Sequence, residues 1–384
     1  MPNRHFGRDP LSDNGFVEYQ DDVRTVEKSV EIAQELRDSA QNQDPVLAEE
    51  DFALIHALQV RPRATWTQLS EALGTSPVTL ARRWARITSE GLAWVTAYPT
   101  WSAHGDSVIA LVDVDCAGGR LDEVCTTLQA DRRVMIIDQA ASGRDLTLTV
   151  AATSFPELSR LLIDDLQTVP GIVSTRTYIA AQLYTDGSKW RLDALDRRQL
   201  RALSRVEWPP GSTREPQLLG AIPDSHMDLV YELSKNGRAS AVELAHALGR
   251  PASTVRRQLT ALLRARALTF RCEVAQLSTR WSIIASWWCR VPEERRIALV
   301  KALRTQPRVR LCASLTGPTN FVVTMWARSP DEIMRIQGWL EEQVPSIVID
   351  DVSVILRCRK RMGWKLDPDG RATGEVVPVW PPAT

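Results

Sequence analysis

Three short stretches near the start of the chain place their apolar residues at helical spacing. EEDFALIHALQ at 49–59 puts Phe52, Ile55 and Leu58 on one face and predicts a helix. TWTQLSEALG at 65–74 predicts a second, closed by Gly74 at a C-cap position. SPVTLARRWARITSEG at 76–91 opens with Ser76-Pro77, a good N-cap and N1 pair, and carries Leu80, Trp84 and Ile87 as one apolar stripe. LAWVTAYP then reads as a strand. Helix, helix, tight turn, helix, strand is the order of a winged helix-turn-helix.

From Ser107 the period changes. SVIALVDVD, VMIIDQAA, DLTLTVAAT and VSTRTYIAAQL read as strands, with LDEVCTTLQA and FPELSRLLIDDLQ as helices between them. In chain order this is β-α-β-β-α-β, the ferredoxin-like split unit.

The same series then recurs. A shift of 175 positions aligns Leu54 with Leu229, Arg63 with Arg238, Gly74 with Gly249, Thr79 with Thr254 and Arg82 with Arg257. It also aligns Val169-Pro170 with Val344-Pro345, and WRLD at 190–193 is echoed by WKLD at 364–367. The expected fold class is therefore α+β, a tandem duplication of a winged helix-turn-helix plus a βαββαβ domain. The boundaries read as an acidic N-terminal segment at 1–47, helix-turn-helix units at 48–100 and 222–275, and βαββαβ domains at 105–185 and 280–362. A linker with one helix at 186–221 and a C-terminal arm at 363–384, with a loose Pro-rich end VVPVWPPAT, complete the chain.

Composition narrows the function classes. With 384 residues and 44% hydrophobic content the chain can bury several cores. Its formal net charge is zero, so any attraction to nucleic acid must come from local patches. The six cysteines are scattered, without a C-x-x-C or a histidine cluster, so reduced buried thiols are expected, and no metal or cofactor. No signal-peptide pattern or long apolar run is present, which leads us to expect a cytoplasmic chain without membrane contact.

The candidate chemistry lies on the third helix of each unit. Opposite the apolar stripe stand Ser76, Thr79, Arg82, Arg83 and Arg86. The shift places Thr254, Arg257 and Gln258 on the matching face of PASTVRRQLTALLRARA, where Ser253 and Arg256 join them, while the counterpart of Arg86 is Ala261. A guanidinium fork can pair with guanine edges in a major groove, and short hydroxyls reach phosphates or bases. An arginine-rich face is also an ordinary solvated surface. Two such faces, each on the third helix of the same pattern, favour double-stranded DNA. The first helix has the better N-cap and the additional Arg86, so it is expected to be the main reader.

Both copies resemble Lrp/AsnC-type transcriptional regulators, in which a winged helix-turn-helix precedes a ferredoxin-like "RAM" effector domain. The resemblance rests on IHALQVRPRATWTQLSEALGTSPVTLARRWARITSEGL and LVYELSKNGRASAVELAHALGRPASTVRRQLTALLRARAL, with support from GRDLTLTV and VPGIVSTRTYI. It implies a transcription regulator, not an enzyme, that forms homo-oligomers through its RAM domains. It also implies a small-molecule effector, an amino acid or related metabolite, held between RAM domains near the loop joining their second and third strands. On this chain that points to Ser142, Gly143, Arg144 and Asp145, and to Thr316, Gly317 and Asn320. A bare turn is the competing reading of both loops. Siroheme decarboxylases resemble the same fold and form the alternative, an enzyme needing basic and histidine residues around a tetrapyrrole. The five histidines are His5, His56, His104, His226 and His246, of which only His104 stands near the start of a RAM domain. Trp281, Trp287, Trp288, Trp326 and Trp339 are expected in cores or RAM–RAM interfaces.

Overall fold

The computed structural model describes residues 47–100, 107–141, 143–206, 222–279 and 281–379. The predicted N-terminal segment, apart from Leu47, and residues 207–221 of the predicted linker lie outside these ranges.

Copy one begins with α1 (Glu49–Val60), α2 (Trp66–Leu73) and α3 (Pro77–Ser89), followed by β1 (Ala93–Pro99). Copy two repeats them as α7 (Met227–Lys235), α8 (Ala241–Leu248), α9 (Ala252–Arg264) and β6 (Leu268–Val274). The second helices start on equivalent capping boxes, Thr65 with Gln68 and Ser240 with Glu243. Gly74 and Gly249 end them at φ of 72° and 62°, a left-handed conformation that costs glycine little. Ser76 caps α3 through its Oγ, which accepts from the Thr79 N–H at 3.2 Å, whereas Pro251 offers α9 no side-chain cap.

The strand after each third helix finds its partner in the other copy. β1 and β6 pair antiparallel from Ala93–Val274 to Pro99–Leu268, forming a two-stranded ribbon. Arg63 and Arg238 clasp the units reciprocally. Arg63 donates to the carbonyls of Gly237 and Ala239, and Arg238 donates to those of Pro62 and Ala64, at 2.6 and 2.9 Å. Each acceptor is the 175-residue equivalent of its counterpart, so the shift found in the sequence is a pseudo-twofold operation in space.

The RAM-type domains follow the same symmetry. The first contains β2 (Val108–Cys116), α4 (Leu121–Ala130), β3 (Val134–Ala141), β4 (Leu146–Ala152), α5 (Phe155–Ser159) and β5 (Ile172–Thr185). Between copies lies α6 (Arg197–Ser204). The second domain contains β7 (Ile283–Arg290), α10 (Glu293–Arg304), β8 (Val309–Leu315), β9 (Phe321–Ala327), α11 (Pro330–Gln343) and β10 (Val348–Arg361). Each sheet follows the ferredoxin-like order. β5 of the first pairs with β8 of the second, and β10 of the second pairs with both β7 and β3. Eight strands, β3-β4-β2-β5-β8-β9-β7-β10, thus close into a ring. The sheet edges that the family resemblance assigns to subunit pairing are satisfied within one chain.

Two expectations change. FPELSRLLIDDLQ is not one α-helix: after α5 the backbone passes through a π turn at Arg160–Asp165 and a 3₁₀ turn at Leu166–Thr168. Its buried leucines are 158, 161 and 166, and the wider turn keeps Leu166 facing inward despite the five-residue gap. In α11 the equivalent buried residues are Ile333, Ile336 and Leu340, at ordinary α spacing. The described part of the Pro-rich end is not loose: the Val377 N–H donates to the Gly363 carbonyl at 2.8 Å and Val379 is buried. β11 (Trp364–Leu366) and β12 (Ala372–Val376) extend the sheet beyond β10, and Trp364 packs against Trp94 of the ribbon with ring centroids 5.6 Å apart.

Candidate nucleic-acid interface and effector sites

On α3 the apolar stripe Leu80, Trp84 and Ile87 is buried, as its spacing predicts. Ser76, Thr79 and Arg82 are exposed on the opposite side, and Arg82 has no ion-pair partner among the described residues. Arg83 and Arg86 do not project freely. Both turn back to Asp51, a buried carboxylate in the first turn of α1, at 3.1 and 2.5 Å. Glu50 adds a second contact to Arg83, and Glu90 one to Arg86. Three acidic residues thus hold two of the three predicted arginines.

On α9, Val255, Leu259 and Leu262 form the buried stripe. Ser253, Arg256 and Arg257 are exposed, and neither arginine has an ion-pair partner among the described residues. Thr254 is half-buried, and the Gln258 amide leans on the Ser225 carbonyl at 3.4 Å. Arg264 and Arg266 add exposed charge at the C-terminal end. The better-capped helix therefore offers fewer free cations. Acid partners on α1, 26 or more positions upstream of α3, were invisible to a reading confined to the recognition segment.

The predicted effector loops are largely occupied by the chain itself. Ser142 lies outside the described residues. Gly143 accepts from Arg176 at 2.8 Å. Arg144 is buried, paired with Asp113 on β2 at 3.1 Å and with Asp351 on β10, and lies 4.7 Å above the Trp288 ring. Asp145 accepts from the Cys116 N–H at 2.7 Å. In copy two, Thr316 is bonded to Ile179 of β5, Gly317 is exposed, and Asn320 clasps the Val291 backbone at both ends of its amide. Arg144 is thus a bridge between the two sheets. Burial pushes the Asp113 carboxyl up to about 6, although Arg144 and Thr147 pull the other way.

The largest concentration of buried charge lies elsewhere. Arg271 and Glu273 on β6, Arg310 on β8, Asp138 on β3 and Arg361 at the end of β10 form one cluster. Glu273 pairs with Arg271 and receives Arg310 Nη2 at 3.4 Å. Burial alone would raise Glu273, but Arg271, Arg310 and Arg361 outweigh it and hold its carboxyl below the usual range. Burial raises Asp138, with Arg361 opposing, and lowers Arg310 to about 10. Beside them, inside the ring of strands, is a cavity of about 90 Å³. Arg271, Arg310, Asp138 and Ser353 reach it among mostly apolar neighbours that include Leu111, Met135 and Trp288. Sequence reading missed this site. Its signal lies in pairs that the repeat makes unlike: Arg310 stands opposite Met135, Arg271 opposite Thr96, Glu273 opposite Tyr98 and Asp138 opposite Ala313.

The tryptophans occupy the expected places. Trp287 and Trp326 are fully buried, Trp326 stacks on Trp190 at 4.9 Å, and Trp288 meets Tyr178 of the other sheet at 4.9 Å. Of the histidines within the described residues, none lines the cavity. His56 Nδ1 accepts from the Ala194 N–H at 2.9 Å, and burial lowers its ring to about 4. His5 and His104 lie outside the described residues. Among those residues there is no metal-binding cluster and no helix long and apolar enough to cross a membrane. All six cysteines are free, and all but Cys116 are buried.

Two helix-turn-helix units on a shared ribbon, above a closed pair of ferredoxin-like sheets, define a class that comparison identifies. The chain matches the AsnC-type helix-turn-helix domain over residues 49–87, the Lrp/AsnC ligand binding domain over 109–189, and a winged helix-turn-helix DNA-binding domain over 224–266. It therefore carries the domain set of a DNA-binding transcription regulator with a ligand-binding unit. An uncharacterised HTH-type transcriptional regulator of Pyrococcus furiosus is 26% identical over 147 residues, covering 38% of this chain and 96% of that protein. One from Pyrococcus horikoshii is 24% identical over 145 residues, covering 38% and 89%. Among solved structures, the siroheme decarboxylase NirDL aligns over 81% of this chain and 92% of its own, at 14% identity and a TM-score of 0.46. E. coli AsnC aligns over 36% and 93%, at 20% identity and a TM-score of 0.31.

Proposed function

We propose that the chain is a sequence-specific transcription regulator in which one polypeptide does the work of a regulator dimer and answers to a small-molecule effector. The observation that carries this reading is the pairing of β1 with β6. It presents α3 and α9 about one pseudo-twofold axis, each with its polar face outward. Two such helices suit half-sites about one helical turn, ~34 Å, or a multiple of it apart. The unequal faces imply an asymmetric operator.

Arg256 and Arg257 supply the principal DNA contacts, with Ser253, Thr254 and Gln258 beside them. On α3, Arg82, Thr79 and Ser76 make the corresponding contacts, while Arg83 and Arg86 serve mainly to hold α3 against α1. A gel-shift titration with DNA from the protein's own promoter region tests this. Arg256→Ala with Arg257→Ala is expected to weaken binding more than Arg82→Ala, and Arg83→Ala least. Equal operator affinity in the wild type and the α9 double variant would sink the assignment.

A further inference from the structure

We propose that the interior of the eight-stranded ring is a binding site for one small organic carboxylate, and that the occupied site is read directly by the ribbon that carries the two DNA-binding units. This rests on the regulator reading above and places its effector inside the barrel instead of at the loops between strands.

An eight-stranded barrel is just wide enough either to fill with side chains or to enclose one small ligand. Here the interior is unfilled around a buried charge cluster. The chain leaves donors unused at it: Arg310 Nη1 has no hydrogen-bond partner and Arg310 is only 7% exposed. The Ser353 hydroxyl, 2% exposed, is also without a partner, as are Nε and Nη1 of Arg361 close by. Buried polar groups are normally satisfied, and an orphaned guanidinium N–H is costly. An anion that accepts from Arg310 and Ser353 removes that cost.

The charge count points the same way. Three guanidiniums, on Arg271, Arg310 and Arg361, face three carboxyls, on Glu273, Asp138 and Asp186, the last also on the cavity wall; burial favours the protonated form of Asp138, which leaves one guanidinium without a counter-charge. A buried charge of that kind calls for a counter-ion. Most of the remaining wall is apolar, with Leu111, Met135, Ile355 and Trp288 outnumbering the hydroxyls of Thr147, Thr149, Ser286 and Thr324, so the ligand should carry a short hydrocarbon body on its carboxylate. An amino acid is a poorer fit: its ammonium group would face this positive excess.

Readout follows from where the lining residues sit. Arg271 belongs to β6 and Tyr98 to β1, and both reach the cavity. Gly187, at the end of the copy-one sheet, closes against the Arg271 guanidinium, where even a methyl group would collide. A carboxylate drawing on Arg310 competes for the Arg310–Glu273–Arg271 chain of contacts and so bears on the ribbon itself. Ligand binding and DNA binding then share one element whose position both can bias.

Calorimetry of the full-length chain with linear carboxylates from acetate to hexanoate, and with the corresponding amides, tests the site. At least one carboxylate should bind with a stoichiometry of one per chain, and its amide at least tenfold more weakly. Arg310→Gln should weaken carboxylate binding at least tenfold. Ser353→Ala, a change small enough to leave the fold intact, should weaken it severalfold, while Arg144→Gln leaves it unchanged. Absence of binding across the series, equal binding of the amides, or indifference to both Arg310→Gln and Ser353→Ala overturns the site. Anisotropy with promoter DNA, with and without the bound acid, tests the readout: an unchanged DNA affinity refutes it. Failure of the regulator reading is a separate result, seen as no specific DNA complex in the acid-free protein whatever the calorimetry shows.

Discussion

Asp51→Asn is expected to strengthen DNA binding while lowering stability. The carboxylate of Asp51 is 1% exposed and serves three donors: the Ala48 N–H at 2.9 Å, Arg83 at 3.1 Å and Arg86 at 2.5 Å. Removing one partner of a fully buried pair costs about 3–5 kcal/mol, because the other charge is stranded. Here the stranded charges can escape, since the Arg83 and Arg86 side chains are 24% and 42% exposed. Solvent screening cuts the cost, and the asparagine oxygen can still accept from Ala48. A loss of about 1–2 kcal/mol is the reasoned magnitude.

The freed arginines sit on a helix proposed to face DNA. Each additional phosphate they neutralise steepens the dependence of log K on log salt by about 0.9. Two contacts give about 1.8, so the mutant's advantage over wild type should shrink about twelvefold between 50 and 200 mM salt. Fluorescence anisotropy with a labelled promoter fragment across that range measures the slope, and thermal melting of the same samples measures stability. If melting falls but the salt slope stays at the wild-type value, Arg83 and Arg86 are not masked DNA contacts, and their tie to Asp51 is purely structural.

Arg63→Ala and Arg238→Ala each remove two hydrogen bonds to backbone carbonyls and an arginine–aromatic contact, with Phe270 and Trp66 respectively. Each should cost about 2–4 kcal/mol in chemical denaturation, and by pseudo-symmetry the two losses should be similar; a negligible loss in either would show that the ribbon alone joins the units. Asp113 binds its proton more tightly in the folded state, at about 6 against an ordinary value of 3.8, so native protein holds more protons between those values. Stability from this group therefore rises as pH falls from 6 toward 4, and Asp113→Asn should flatten melting temperature against pH in that window. A wild-type slope retained in the variant would assign the effect to another group. Leu166→Ala, which empties the position served by the π turn, should destabilise by about 2–4 kcal/mol, and a loss well below 1 kcal/mol would refute the packing reason for that turn.

The sequence showed most of the fold because the repeat supplied its own control. Helix and strand periods that are ambiguous once become firm when the same pattern recurs 175 positions later. The closed ring was less accessible: which edge β5 and β10 pair with is a long-range choice that alternation within either strand does not encode. The candidate interface was partly legible. The buried stripe on α3 followed from its spacing, but the fate of Arg83 and Arg86 was decided by Asp51, whose burial depends on how α1 packs. The loop residues at 143–145 and at 316–320 were chosen by resemblance. In a fused chain those loops meet the chain's own strands, and their polar groups are consumed there.

Fusion also changes what a barrel of this type can hold. In a homodimer every interior residue appears twice, so a charged site off the axis must be built in duplicate. The two copies in this chain have diverged at the positions that matter: Arg310, Arg271, Ser353 and Asp138 occur where the other copy has Met135, Thr96, Tyr178 and Ala313. The strand register makes these true equivalents, since Leu111 pairs with Tyr178 just as Ser286 pairs with Ser353. One side of the barrel therefore carries the guanidiniums, while its mate has Met135, Thr96 and Tyr178 with Asp186 in the place of Arg361, and the ligand stoichiometry should be one per chain. Met135→Arg, which puts a further guanidinium on the wall of the same cavity, should not add a second binding event, because Thr96, Tyr98 and Ala313 supply neither the paired carboxylate nor the second guanidinium of a duplicate site. A stoichiometry of two in the unmodified chain would show that the asymmetry of the copies does not govern binding and that the charge cluster is only structural.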